Sequence, residues 1–303
     1  AVQAALEVAE RATKDDVIGG KEIKPGDRVI TNPPVYPPFD MCIVEAGGVV
    51  DRVPLIDNGT GWELDLAGIE ASFAAGARSI LLCNPHNPTG TVHSRESLAA
   101  LAEIAERFGA TVVSDEIHSP STQPGVTFTP FISASDAAAR VGYVITSASK
   151  AFNLAGLKCA LIITASDGPT QIVADLPPEV EWRTGLFGAL AAVAAFAPES
   201  DEWLDSLLAA LDENRRLLGE LLEEHLPGAR YRMPDAGFLA WVDLSALGWG
   251  DDPAERILTE AKVAFNQGPN FGPEGNGHVR INFGCSPEVL REAVERAGAL
   301  LAK

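Results

Sequence analysis

Positive charge is scarce in this chain. Lysine and arginine number 23 against 42 aspartates and glutamates, a net charge of −19. Such a surface repels nucleic acid and anionic membranes, so neither is expected as a partner. Cysteine is scarcer still. The four (Cys42, Cys83, Cys159, Cys285) lie far apart and form no pair at metal-ligand spacing. Three of them stand in apolar, strand-like runs and read as buried thiols of a reduced, cytoplasmic protein. Long apolar runs are missing too: the longest uncharged one, 185–198, is too short to span a bilayer. No signal peptide, repeat or low-complexity tract is visible. The chain opens at Ala1, without methionine and inside a helix-like run, so further residues are expected upstream.

What is present alternates. Strand-like runs stand at 28–34, 49–55, 79–85, 111–116, 142–149 and 159–164, short and rich in β-branched residues, as strands covered on both faces are. Between them, "SRESLAALAEIAERFG" predicts a helix over 94–109. Ser94 can cap it, Leu98, Leu101, Ile104 and Ala105 share a face, and Gly109 ends it. This order predicts an α/β fold, a mostly parallel sheet with flanking helices in three layers, whose ligands sit at the carboxyl ends of the strands. After Glu181 the pattern changes. Residues 185–224 read as helix with a break near Pro198. Strand-like runs follow at 229–234, 237–244, 262–268 and 278–284, and a last helix at 287–302. A large domain over 1–190 and a small C-terminal α+β domain over 191–303 are expected.

Four polar clusters fall at strand ends. In "CNPHNPTG" (83–90), two Asn-Pro steps and a Thr-Gly fix a rigid turn that would hold Asn87 toward a ligand. In "SDEIHSP" (114–120), Asp115 ends an apolar strand, where a carboxylate needs a cation or good donors; His118 can donate a hydrogen bond or serve as a structural histidine. In "TSASK" (146–150), Ser147, Ser149 and Lys150 follow a strand. Small hydroxyls and free backbone N–H groups there suit a phosphate, and a lysine in a partly desolvated pocket becomes a nucleophile. The Ser-x-x-Lys of penicillin-recognising hydrolases needs Ser-Asp-Asn and Lys-Thr-Gly elements, which the chain lacks. In "HVRINFG" (278–284), Arg280 and Asn282 share one face and Val279 and Ile281 the other. Arg280 is either an outward ion-pair residue or an inward, bidentate clamp for a carboxylate. Periodicity does not say which face is wet.

Taken together, these groups suit pyridoxal 5′-phosphate acting on an amino acid. With "PPVYPPF", "CNPHNPTG", "SDEIHSP", "SASKAFNLAGLK", "GFLAWVDL" and "VRINFGCS", the chain from about Val29 onward resembles fold-type I pyridoxal-phosphate enzymes of the class I/II aminotransferase superfamily, and within it the MalY/PatB cystathionine β-lyase branch. The resemblance implies that Lys150 is the Schiff-base lysine and, once released, the base at Cα. It implies that Asp115 pairs with the pyridine nitrogen, that Asn87 and His118 serve the ring hydroxyl, that Ile117 packs under the ring and that Tyr36 stacks on it. Ser147, and Lys158 where relatives carry a basic residue, would bind phosphate; Arg280, with Asn87 beside it, would hold the substrate carboxylate. Lys158 could equally be a solvated lysine. The implied activity is carbon–sulfur β-lysis of L-cystathionine or related cysteine conjugates in a homodimer with a shared site. A class I/II aminotransferase is the alternative, and a non-catalytic aminotransferase-like regulatory domain a third reading. Family members are longer at the N-terminus, with a phosphate-cupping turn and a tyrosine given across the dimer; residues around Lys14 to Lys24 read as an insertion.

Overall fold

In the computed structural model, residues 26–302 are described, residues 177 and 183 excepted. The opening helix-like run and the stretch from Lys14 to Lys24 lie outside the described residues.

Twelve strands are found among the described residues: β1 (Arg28–Thr31), β2 (Val49–Arg52), β3 (Ile56–Asp57), β4 (Trp62–Glu63), β5 (Ser79–Cys83), β6 (Thr111–Asp115), β7 (Gly142–Thr146), β8 (Leu161–Ile163), β9 (Arg230–Tyr231), β10 (Leu239–Asp243), β11 (Asn266–Gln267) and β12 (His278–Asn282). Six form the main sheet in the order β2-β1-β5-β6-β7-β8. All its pairs are parallel except β7 with β8. Alternate residues of the central strands enter two different cores. Ile30, Ile80, Leu82, Val112 and Val144 pack on one face with Ile69 and Phe73 of the helix Leu66–Ala74 and with Leu98, Leu101 and Ile104 of the helix Arg95–Arg107. Val29, Leu81, Val113 and Ile145 pack on the other with Val35, Phe39 and Ile43. Burial on both faces is why these strands read as unbroken apolar runs. The helix Arg95–Arg107 begins as expected, the Ser97 N–H donating to Ser94 Oγ at 3.1 Å.

The second sheet is antiparallel, ordered β11-β12-β10-β9. Ala240, Val242, Val279 and Ile281 lie on its inner face against Leu218, Leu221 and Leu222 of the helix Asp201–His225 and Leu290 and Val294 of the helix Pro287–Gly298. The helical stretch does break at Pro198, into Leu186–Ala195 and Asp201–His225. Among the described residues no helix is long and apolar enough to cross a membrane.

Some expectations fail for local reasons. The run 262–268 contributes only β11, because Lys262 takes a left-handed conformation after the π-helical turn Ile257–Ala261 and Pro269 opens a 3₁₀ turn. The run 229–234 shrinks to β9. A hairpin of β3 and β4 was not expected; its turn is held by Asn58 Oδ1, which accepts from the N–H groups of Thr60 and Gly61. Nor are the thiols uniformly buried. Cys83 alone is; Cys42, in the helix Pro38–Glu45, and Cys159 and Cys285 are partly exposed.

Candidate active site

The carboxyl ends of β5, β6 and β7 lie side by side, with Cys83 opposite Asp115 and Asp115 opposite Ile145. The loops that leave them carry Asn87, the segment 115–118 and the segment 147–150. In the order β2-β1-β5-β6-β7-β8 the strand that follows β1 lies on one side of it and β5 on the other, so the strand order reverses between β1 and β5, the customary place for a ligand beside this cluster.

The loop after β5 is rigid by construction. Gly90 has φ +71°, and a Cβ there would come 2.2 Å from Cβ of Pro234, so only glycine fits. The Gly90 carbonyl accepts from the N–H groups of Asp235 and Ala236, tying the loop to the segment before β10. The Asn87 N–H donates to Cys83 Sγ at 3.3 Å, which anchors the loop backbone at the strand end. His86 and His93, buried nearby, are held neutral, with pKa values brought down to about 3 and about 4. Burial is the main cause; for His86 the neighbouring His93 adds to it.

Asp115 is buried at the end of β6. Burial pushes its carboxyl up to about 6, against the pull of the Ile117 N–H, 3.1 Å from Oδ1, and of the Lys150 charge. Glu116, next along the strand, points the opposite way. It accepts from Ser114 Oγ at 2.9 Å and the Phe131 N–H at 2.7 Å, and burial raises it to about 7. It is a structural tie between β6 and the loop returning toward β7. His118 is buried edge-to-face against Phe238, its Nδ1 without a hydrogen-bond partner among the described residues. Burial, with Lys150 and Arg280 close by, lowers it to about 3.

Lys150 is half-buried. The Ser147 hydroxyl donates to the Cys159 carbonyl at 2.5 Å and accepts from the Ser149 N–H at 3.1 Å. Its single proton is therefore committed, and it would have to let go of Cys159 to donate to a phosphate. Lys158 is exposed, in a left-handed conformation that ends the turn Ala155–Leu157.

Arg280 reaches this centre from the second sheet. Val279 and Ile281 fill that sheet's core, so Arg280 is on the face toward β5–β7, which resolves the question periodicity left open. Its Nη1 donates to Asn87 Oδ1 at 2.9 Å, and its guanidinium lies 4.8 Å from the Phe271 ring centre. Tyr36 is half-buried, edge-to-face with Phe39, and close enough to Arg280 to act on its charge. Ile117 is half-buried beside Asp115. Asn87, Asp115, His118, Lys150, Arg280 and Tyr36 thus converge; Lys158 lies exposed to solvent. Asn266 and Phe271 escaped the sequence reading: only the pairing of β11 with β12 sets Asn266 opposite Arg280, and Phe271 reaches it from the 3₁₀ turn Gly268–Phe271 that follows β11.

The model of the family aminotransferase class I and II matches residues 2–296. The chain belongs to that family. It is 41% identical over 322 residues to a Mycobacterium tuberculosis protein provisionally named a cystathionine beta-lyase, covering 96% of this chain and 77% of the relative. It is 35% identical over 285 residues to cystathionine beta-lyase PatB of Bacillus subtilis, covering 92% and 73%. Among solved structures, a Corynebacterium diphtheriae protein provisionally described as a PLP-dependent β-cystathionase superposes with a TM-score of 0.89 at 35% identity, covering 100% of this chain and 76% of that one.

Proposed function

We propose that the protein is a pyridoxal-phosphate-dependent carbon–sulfur lyase that converts L-cystathionine or a similar cysteine conjugate to a thiol, pyruvate and ammonia. The observation that carries this reading is the convergence of a lysine, a buried carboxylate, an unpartnered buried imidazole and a half-buried arginine at the carboxyl ends of three parallel strands. Preference for a lyase over an aminotransferase rests on the names of relatives 35–41% identical to this chain.

The residues suit the cofactor. A carboxylate as buried as Asp115 costs less beside a cation, which a protonated pyridine nitrogen would be. The unpartnered Nδ1 of His118 is a polar atom awaiting a ring substituent. Arginine is a donor only, so Asn87 must turn Oδ1 toward Arg280, which leaves Nδ2 as its donor to the ring hydroxyl. When bound, the cofactor supplies an electron sink conjugated to the substrate Cα.

Asp115 would keep the ring nitrogen of the bound cofactor protonated. Lys150 would hold the cofactor covalently and, as a free amine, would be the base that takes the Cα proton. Arg280 and Asn87 hold the α-carboxylate so that the Cα–H bond faces Lys150. As that proton leaves, its electron pair would form the Cα–Cβ double bond while the Cβ–S bond breaks with its pair on sulfur, which takes up a proton to give the thiol; water would then supply the oxygen of pyruvate as ammonia is released. Tyr36 and Ile117 are assigned to the two faces of the ring, Ser147 to the phosphate and Lys158, exposed to solvent, to the same phosphate. We also assign the protein to the cytoplasm, as a homodimer whose partner completes the site.

The test is to supply L-cystathionine to the cofactor-loaded protein with no keto acid. Thiol, pyruvate and ammonia should appear in equal amounts. Turnover only when a keto acid is added would replace this reading with the aminotransferase one. Sedimentation should show a dimer; a fully active monomer would exclude the shared site.

A further inference from the structure

Asn266 lies on β11 directly opposite Arg280 on β12. Its Oδ1 accepts from Arg280 Nη2 at 2.9 Å and from Nε at 3.3 Å, both along one edge of the guanidinium. Asn87 takes Nη1, and the Phe271 ring supports the flat face. A guanidinium has five N–H bonds. Three point at amide oxygens, which leaves one on each terminal nitrogen.

The partners are all neutral. Among the described residues no carboxylate forms an ion pair with Arg280, whereas ten other arginines pair with an aspartate or glutamate in a chain of net charge −19; Arg78, Arg95 and Arg291 share this lack. A half-buried cation without a counter-charge is unfavourable until an anion arrives. Two asparagines orient it without neutralising it. An aspartate at 266 would hold the same edge more strongly but would cancel the charge.

We propose that Asn266 is a positioning residue for the substrate: it fixes the Nε–Nη2 edge of Arg280 so that the remaining hydrogens of Nη1 and Nη2 receive the α-carboxylate, and its neutrality keeps the full charge available. This rests on the reading above only in that Arg280 receives that carboxylate; it holds for a lyase and an aminotransferase alike. Asn266 is exposed on a two-residue strand, so its replacement costs the fold little.

The experiment compares cofactor-loaded wild type, Asn266→Ala and Asn266→Asp. The probes are 2-aminoisobutyrate, which has no Cα proton to lose, and its carboxamide, with binding read by calorimetry. Wild type should prefer the carboxylate. Asn266→Ala should reduce that preference roughly 5-fold and Asn266→Asp roughly 50-fold, since the new carboxylate competes for Arg280. With L-cystathionine, KM should rise in the same order while kcat stays within about 2-fold, the mark of lost ground-state binding. Melting temperatures should be unchanged. An unaltered preference in both variants overturns the proposal, as does equal loss of carboxylate and carboxamide binding with a lowered melting temperature. A wild type without any carboxylate preference overturns the role of Arg280 itself. Absence of thiol release beside an intact, Asn266-dependent preference overturns the lyase reading and supports this proposal.

Discussion

Asn87 and Arg280 stand 193 positions apart in sequence and meet at 2.9 Å, Oδ1 to Nη1. One comes from the loop after β5 in the parallel sheet, the other from the middle of β12 in the antiparallel sheet. Their bond joins the two sheets at the mouth of the site. A substrate carboxylate bound there, as proposed, would be held by both sheets. Arg280→Lys keeps the charge but loses the planar fork, so KM for the amino acid should rise about 10- to 100-fold with a smaller loss in kcat. Asn87→Ala and the double variant complete a cycle, in which a coupling of about 1–2 kcal/mol in kcat/KM is expected for residues in contact. Additive losses would show that the bond does not matter to the reaction.

Lys150→Ala should abolish turnover while leaving the fold and weak cofactor binding in place. Borohydride reduction of the loaded wild type, followed by peptide mapping, should mark Lys150. A mark on Lys158, 8 residues further on and exposed, would transfer the tether to that residue.

Asp115→Asn preserves size and the hydrogen bond from Ile117 but removes the charge beside the ring nitrogen. Turnover should fall by roughly 10²-fold or more, each ~1.4 kcal/mol of barrier being tenfold. Restoration of the rate by an N-methylated cofactor analogue, whose ring nitrogen cannot lose its positive charge, would locate the defect at that nitrogen. Near-normal turnover with the natural cofactor would rule the role out.

Three buried histidines make the fold less stable as the pH falls. His86, His93 and His118 have folded pKa values near 3, 4 and 3, below the ordinary 6.5. The unfolded chain therefore takes up protons that the folded chain refuses. Their contribution to stability is complete above about pH 6.5 and is lost as pH falls toward 4 and below. Asp115 and Glu116, raised to about 6 and about 7, act in the opposite sense: their contribution is complete at low pH and is lost as pH rises toward 7. His93→Leu isolates one group, removing a buried Nε2 that has no hydrogen-bond partner among the described residues. Denaturant midpoints should fall less steeply than wild type between pH 6.5 and 4, by up to about 3 kcal/mol at the acid end. Parallel curves would mean that His93 is protonated in the fold.

Much of the architecture is legible before any coordinates. The strands β1, β5, β6 and β7 are apolar on both faces because helices and loops cover both faces, so they stand out without alternation. The helix from Arg95 carries its own cap and stripe, and Pro198 marks a break that local backbone chemistry enforces. The site residues at strand ends are visible for a related reason: a polar cluster directly after an apolar strand has nowhere to go but the sheet's edge, where ligands bind. The short strands β9 and β11 are harder to bound. What fixes their ends is a left-handed lysine, a 3₁₀ turn and a partner strand elsewhere in the chain, none of which is encoded in a period of two.

The sequence by itself determined which residues could do chemistry here: the lysine in its bed of small residues, the carboxylate ending an apolar strand, the asparagine in a double Asn-Pro turn. Those properties are local, set by side-chain type and by the few residues on either side. Only the tertiary structure decided that Arg280 turns inward while Val279 and Ile281 fill the core, and that Asn266 faces it across β11 and β12. It also placed Lys158 in solvent and committed the Ser147 proton to Cys159. The physical reason is range. Burial, register and hydrogen-bond partners depend on segments far apart in the chain, and the same residue type lies in water or against a ligand according to what packs behind it.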